Sequence, residues 1–511
     1  MTTIGELALW VALLMVGWST GVSYAGAIAR RNDLTTSGVR ALYATFAMLA
    51  LAASGLWTAL LSRDLSFEYV AAHISQLTPR VYTFTAFWSG RAGALLLSAL
   101  VLSLFGTIGV AAGRRRSSEI VPWATGTVSA ILLFVLATTC FAANPFARGE
   151  LTPLDGRGLD PRFQNPAMAL HQPSLYLAYA ATALPFSFAI AALLTRRLDA
   201  GLLDSIRRWT LFAWFLLTVA IVLGIRAAYV VPESTGSRYW AADAIKNPSI
   251  FPWLTMAVSL HLFGRGLRGL GKWNVALVSA SFLLSVFAAF STRAGQSEAS
   301  SAQSAIGTWL SMFFFLAAGM TVYLVGARLR DLKDVADLDS GTSKPHRYGG
   351  YVAHAGIVMT LAAFVGLPLA RQSDATLKTG QSYETTDPFG HLWRFVSQGV
   401  SQFDRADHVV AILALDTYRD GKRVGLITSE KRTYRDVAGN PLFAPTIEAG
   451  IHSTALLDTY VLPADIRRMQ GSDIAQLRIA FNPLVAWVWA GGLVMVLGGL
   501  MVMLPTTRVV T

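Results

Sequence analysis

A chain of 511 residues in which 53% are hydrophobic and only 14% charged has more apolar surface than one globular core can hide. The net charge of +12 would fit a nucleic-acid binder in a soluble chain. Here the basic residues gather in alternate short loops between apolar runs, which argues for a lipid bilayer and against nucleic acid. The single cysteine, Cys140, lies in an apolar run and excludes a disulfide, a CxxC redox pair and a thiolate metal cluster.

Runs of roughly twenty apolar residues, the length needed to cross a hydrocarbon core, predict about eleven transmembrane helices. In chain order they fall near 4–28, 39–62, 85–112, 121–143, 172–195, 208–230, 250–268, 273–292, 306–327, 348–369 and 482–504. The first is too long and too polar at its far end for a cleaved signal peptide and reads as a retained span. Arg30, Arg31 and Arg40 mark the first loop and Arg114 to Arg116 the third. Arg196, Arg197, Arg207 and Arg208 mark the fifth, Arg265, Arg268 and Lys272 the seventh, and Arg328, Arg330, Lys333, Lys344 and Arg347 the ninth. By the positive-inside rule the N-terminus is then periplasmic and the C-terminus cytoplasmic, in an inner membrane if the cell is Gram-negative.

The outside loops 144–171, 231–249 and 293–305 are long enough to build a site, and the largest outside segment, 371–481, reads as β. Its runs "HVVAILALDTY" and "KRVGLITSEKRTY" flank "RDG", a hairpin signal, and "TIEAGIHSTALLDTYVL" and "AQLRIAF" add short strands. The expected fold is an all-α polytopic membrane bundle with a small periplasmic β domain. It divides into a bundle with its loops at 1–370, the β domain at 371–481, and a last helix and cytoplasmic tail at 482–511. The charged inside segment 328–347 reads as a plain connector.

Two histidines fall within spans, where an imidazole is costly and marks a functional site by default. The helix of His261 runs inward and ends near Arg265 and Arg268, so His261 lies roughly 6–10 Å from the inner edge at 1.5 Å per residue. The helix of His354 runs outward from Arg347, which places His354 about 10 Å from the same edge. Two neutral imidazoles at one level suit the axial positions of a b-type haem, and "HAGIVMTLAAFVG" offers small residues for the approach of a macrocycle. The alternative is that each histidine hydrogen-bonds a neighbouring helix.

The stretch "NPFARGELTPLDGRGLDPRFQNPAMALHQPSLYLAYA" resembles the CcmF family of cytochrome c maturation proteins, in which a DGR-x-L-x-P-x-x-Q-x-P run leads to a histidine at a helix mouth. The run is carried here by Asp155, Gly156, Arg157, Leu159, Pro161, Gln164 and Pro166, and the histidine is His171. The likeness continues through "KNPSIFPWL", "STRAG", "GYVAHAG" and "AFNPLVAWVWAGGLVMVLGG". The resemblance implies that His171 is an outside ligand to haem under delivery and that His261 and His354 ligate a membrane haem b. It further implies a tryptophan-rich (WWD) loop containing Trp240 and Asp243, and as partners haem, apocytochrome c and other cytochrome c maturation proteins.

Departures from the family pattern accompany the likeness. "STGSRYWAADAIKNPS" keeps Trp240, Asp243, Asn247 and Ser249 but has Ala241, Ala242 and Lys246 where the family is aromatic or acidic. Ser301 occupies the place of the second outside histidine, Arg91 replaces a histidine in "WSGRAG", and spans between 306–327 and His354 are fewer. His73, His408 and His452 are the other histidines able to add a ligand from outside, though each reads more simply as a surface residue. Arg157, Arg162, Arg226 and Arg238 are outside and suited to haem propionates, with solvated loop charge as the plainer reading for all but Arg157.

Two functions follow. The first is a haem-handling component of cytochrome c biogenesis, part of a haem lyase, that binds a transmembrane haem b and presents haem to apocytochrome c. The second is a repurposed member that keeps the membrane haem as a structural or electron-transfer subunit without delivering haem. A transporter is a weaker third reading, because paired broken helices in matching halves are missing.

Overall fold

The computed structural model describes residues 2–114, 119–231, 248–263, 271–294, 301–334, 344–467 and 473–504. Among these residues ten helices are long and apolar enough to cross a membrane, and the chain is a multi-pass membrane protein. The N-terminal helices are α1 (Thr2–Ala29), α2 (Asn32–Ser62), short α3 (Glu68–His73), α4 (Arg80–Ser89), α5 (Arg91–Arg114) and α6 (Val121–Ala142). They are followed by α7 (Pro166–Thr195), α8 (Ala200–Val230), α9 (Ile250–Phe263), α10 (Gly271–Ala294), α11 (Ser301–Arg328), α12 (Lys344–Val365) and α13 (Val485–Met503). α9 is shorter than a full span, and residues 264–268 of the expected seventh span lie outside the described residues. α7 sits at the centre, packed by α5, α6, α8 and α10 and buried over most of its length.

Several helix boundaries depart from the sequence expectation, and for three of them the contacts give a local reason. The expected span 85–112 is broken at Gly90, between α4 and α5. The Tyr69 hydroxyl reaches the carbonyls of Ala86 and Phe87 at 2.9 Å and accepts from the Gly90 amide at 3.2 Å, so it satisfies the end of α4 in place of a continuing helix. α7 starts at Pro166, six residues before the expected start, because Asn165 accepts from the Ala167 amide at 2.9 Å with proline at the first helical position. α8 starts at Ala200, where Asp199 caps the Leu202 amide at 2.7 Å.

At one end of the bundle, β1 (Arg197–Leu198) pairs in parallel with β2 (Lys333–Asp334). The described part of segment 328–347 is therefore more than a connector: it is stitched to the α7–α8 turn, with Arg196 near Asp331 at 3.8 Å. This end carries the basic loops. The opposite end carries the β structure, and the start of α1 lies there too, since Gly5 packs against Phe146 of the loop before α7.

The β structure comprises β3 (Arg371–Lys378), β4 (Ser382–Thr386), β5 (Leu392–Asp404), β6 (His408–Arg419), β7 (Lys422–Tyr434), β8 (Thr446–Glu448), β9 (Gly450–Ser453), β10 (Leu457–Arg467) and β11 (Ile474–Pro483). One sheet has the order β3-β11-β10-β9 and the other β4-β5-β6-β7-β8. They share a core of Trp393, Phe395, Leu413, Ile427, Leu477 and Phe481. The "RDG" signal is the β6–β7 hairpin: Asp420 and Gly421 both adopt positive φ, 50° and 77°, as a type I′ turn requires.

The β structure grows directly out of two helices. α12 leads into β3 and β11 leads into α13, and β3 pairs with β11, so a helix pair continues as a strand pair. Glycines set the helix crossing: a Cβ on Gly498 would lie 2.4 Å from the Ala353 amide nitrogen, and one on Gly366 would lie 2.4 Å from the Pro483 carbonyl.

Candidate functional site

α9 and α12 bring His261 and His354 together with their Nε2 atoms 3.2 Å apart and their rings nearly perpendicular, at 85°. Each Nδ1 lies 2.7 Å from the carbonyl oxygen one turn back in its own helix, Ala257 for His261 and Gly350 for His354. A carbonyl oxygen has no proton to give, so each Nδ1 is the donor, and a ring in its neutral form then presents its Nε2 lone pair to the other. Two lone pairs at this distance repel unless a proton or a metal ion sits between them. Two imidazole nitrogens so placed could hold one ion or share one proton.

Both side chains are exposed on the protein surface, His354 on a helix long and apolar enough to cross a membrane and His261 on a shorter apolar helix. A polar imidazole pair left to lipid is costly, so a bound group covering the pair fits the site. An ion between two imidazoles holds their nitrogens about 4 Å apart, at roughly 2 Å per bond, so the rings, now at 3.2 Å, would have to part slightly to admit one. Among the described residues no cluster of three or more His, Cys, Asp or Glu side chains is present to complete a protein-only metal site. A macrocycle that brings its own nitrogens would need only two further ligands, a number that His261 and His354 could supply. Gly350, one turn before His354, is open on this face and Ala355 of the run after His354 is exposed, while Gly356 packs against α13.

His171 lies in the second turn of α7, at the end of the bundle that carries the β structure. Its Nδ1 donates to the Ala220 carbonyl of α8 at 2.8 Å, and its ring lies over Gly224, where a Cβ would come within 2.7 Å of Cε1. The same segment of α8 holds α9: Trp253 Nε1 donates to Thr218 Oγ1 at 2.8 Å and stacks on Trp214 at 5.4 Å. α8 is thus the element shared by His171 and the helix of His261.

The DGR run folds as a structural loop against α3, a role that sequence reasoning missed. Asp155 Oδ1 accepts from the Gln76 and Gly156 amides at 2.8 and 2.7 Å, and the Arg157 amide donates to the Ala71 carbonyl at 2.7 Å. A Cβ on Gly156 would stand 1.8 Å from the Ile74 carbonyl oxygen. Leu159, Pro161 and Gln164 are buried, and Asp160 caps the following turn while pairing with Arg162 at 2.8 Å. Arg157 is exposed in this run, and Arg162 is partly exposed in its pair with Asp160. Glycine in a DGR tripeptide signals a tight turn, but nothing in sequence showed which carbonyl it has to clear.

Trp240, Asp243, Asn247 and Arg238 lie outside the described residues, as does the side chain of Ser301. Ser249 is buried and bonds Tyr179 Oη at 2.7 Å. Arg226 lies over the Trp489 ring, 5.4 Å from its centroid, so it is not a plain loop charge. His73 is half-buried, stacked on Tyr69 with its Nδ1 on the Tyr69 carbonyl at 2.8 Å, and burial lowers its basicity. His408 bonds Asp407 at 2.8 Å, and His452 sits near Trp393 in β9. All three are tied into the fold, so the plain surface reading does not describe them.

Residues 88–299 match the family model described as Cytochrome C assembly protein. The chain is 31% identical to cytochrome c-type biogenesis protein ccl1 of Rhodobacter capsulatus, over 66% of this chain and 53% of that protein. It is 34% identical to cytochrome c-type biogenesis protein CcmF of Pseudomonas aeruginosa, over 64% of this chain and 50% of that protein. These matches span about half the length of the relatives. The solved structure of a cytochrome c haem lyase CcmF superposes with a TM-score of 0.77 at 21% identity, covering 99% of this chain and 98% of that one, and so shares the whole fold. With the family model and the named relatives in agreement, the chain belongs to the CcmF family of cytochrome c-type biogenesis proteins.

Proposed function

We propose that this protein handles haem in cytochrome c biogenesis, holding a haem b between His261 and His354 and presenting a second haem at the β-bearing face to apocytochrome c. The observation that carries the reading is the pair of Nε2 atoms 3.2 Å apart, each the lone-pair nitrogen of its ring in the neutral tautomer that donates Nδ1–H to a backbone carbonyl. The backbone bonds fix the tautomer and orient each ring, the second-shell role usual for metal-bound histidine. The bound haem would supply one-electron chemistry, and the chain supplies binding and orientation. His171, held by Ala220 and Gly224, would be the outer ligand, Trp240 and Asp243 would belong to the haem-binding loop that the family resemblance implies, and Arg157 would be able to reach a propionate.

The same reading places the basic end in the cytoplasm and the β-bearing end, with the start of α1, in the periplasm, across an inner membrane. Other cytochrome c maturation proteins would be its partners there. The test is an optical spectrum and haem count on the purified protein. A low-spin b-type spectrum in the wild type, lost in His354→Ala, supports the proposal; a protein free of haem when purified from haem-replete cells overturns it.

A further inference from the structure

α8 carries His171's backbone partner, and the last two carbonyls of α8 are capped from the β structure. The last carbonyls of a helix have no partner within it. Here the Tyr460 hydroxyl donates to the Tyr229 carbonyl at 3.2 Å, and the Ala449 amide donates to the Val230 carbonyl at 3.2 Å. The Tyr229 side chain is gripped as well: its hydroxyl donates to Asp458 Oδ2 at 3.1 Å and accepts from Asn482 Nδ2 at 3.3 Å. Asp458 and Asn482 are opposite each other on β10 and β11, and both are buried.

A buried carboxyl near the C-terminal end of a helix is placed against the helix dipole, and its other oxygen, Oδ1, is buried without a hydrogen-bond partner. Packing alone would be served better by an apolar pair at Tyr229 and Asp458. A polar contact kept at such a cost fixes register, and the register it fixes is that of α8. Gly224 and Ala220, which set the ring of His171, lie five and nine residues before Tyr229 on the same continuous helix.

We propose that Tyr229 and Asp458 are positioning residues through which the β domain sets the orientation of His171. The inference rests on His171 being the outer haem ligand for its purpose, but not for its test. The β domain acts on the outer site by holding the helix that holds the ligand, without a side chain of its own reaching the imidazole. Slack at Asp458 lets the end of α8 move, withdraws Gly224 and the Ala220 carbonyl from the ring, and frees His171.

The test uses the full-length protein in detergent with no haem added, and reads the rate at which diethyl pyrocarbonate acylates His171, by mass spectrometry, with His391 as internal control. Tyr229→Phe and Asp458→Ala should raise the His171 rate at least threefold while leaving His391 within twofold. Asp458→Asn, which keeps an oxygen for the Tyr229 hydroxyl, should restore a rate within twofold of wild type. Tyr460→Phe removes one bond and no packing, and provides the same readout if the Asp458 variants do not accumulate. An unchanged His171 rate in both Tyr229→Phe and Tyr460→Phe overturns the proposal. Because no haem is present, that result leaves the haem reading of His171 untouched, which fails separately if His171→Ala leaves outer-face haem binding unaltered.

Discussion

Gly356 of α12 and Gly491 of α13 meet backbone to backbone: a Cβ on Gly356 would lie 2.5 Å from the Gly491 carbonyl oxygen, and one on Gly491 would lie 2.6 Å from that of Gly356. The contact falls half a turn after His354, so the crossing that the glycines permit also places the histidine. Gly356→Ala should cost about 1–3 kcal/mol, the usual range for overpacking, and should lower haem retention by displacing His354. Unfolding in graded detergent mixtures, followed alongside the haem absorbance, checks both effects.

Gly156→Ala should be more damaging than an ordinary loop substitution. The added methyl meets the Ile74 carbonyl at 1.8 Å, and no flexible side-chain end is there to give way. The loop against α3 should open, raising protease cleavage between residues 144 and 165 several-fold. Arg157→Ala, whose side chain is solvated, should leave the same cleavage rate unchanged.

Asp458 gives a pH dependence with a definite sign. Burial raises its pKa above the ordinary carboxylate value, while Ser453, Tyr229, Arg226 and His452 work in the opposite direction. The native state therefore holds this proton more tightly than the unfolded chain does. Its contribution to stability is full below the unfolded pKa of about 3.9 and is lost as pH rises through the higher folded value. Thermal unfolding of wild type and Asp458→Asn across acidic to neutral pH should show the wild type losing more stability over that window than the variant. Parallel curves would contradict the assignment.

How much of this was legible in sequence depends on whether the determining contact is local. The "RDG" hairpin was readable because its two positive-φ positions are adjacent in the chain. The shared depth of His261 and His354 was readable because helix rise converts residue counts into distance, and the 3.2 Å contact agrees with it. The break at Gly90 was not readable, since it depends on Tyr69, about twenty residues away. The capping of α8 by Tyr460 and Ala449 joins residues more than two hundred positions apart, and Arg226 passed for a loop charge because Trp489 lies in another helix. Periodicity carries no trace of such pairings.

The membrane histidine pair is the centre of the account, and one spectrum tests it most directly. The purified wild-type protein, reduced with dithionite, should show the sharp visible bands of a six-coordinate low-spin b haem at about one haem per chain, as two imidazole ligands on one iron require. His261→Ala and His354→Ala should each convert or abolish that spectrum, while His171→Ala leaves it in place. A low-spin b-type spectrum that survives both membrane substitutions would contradict the account, because the iron would then be held elsewhere.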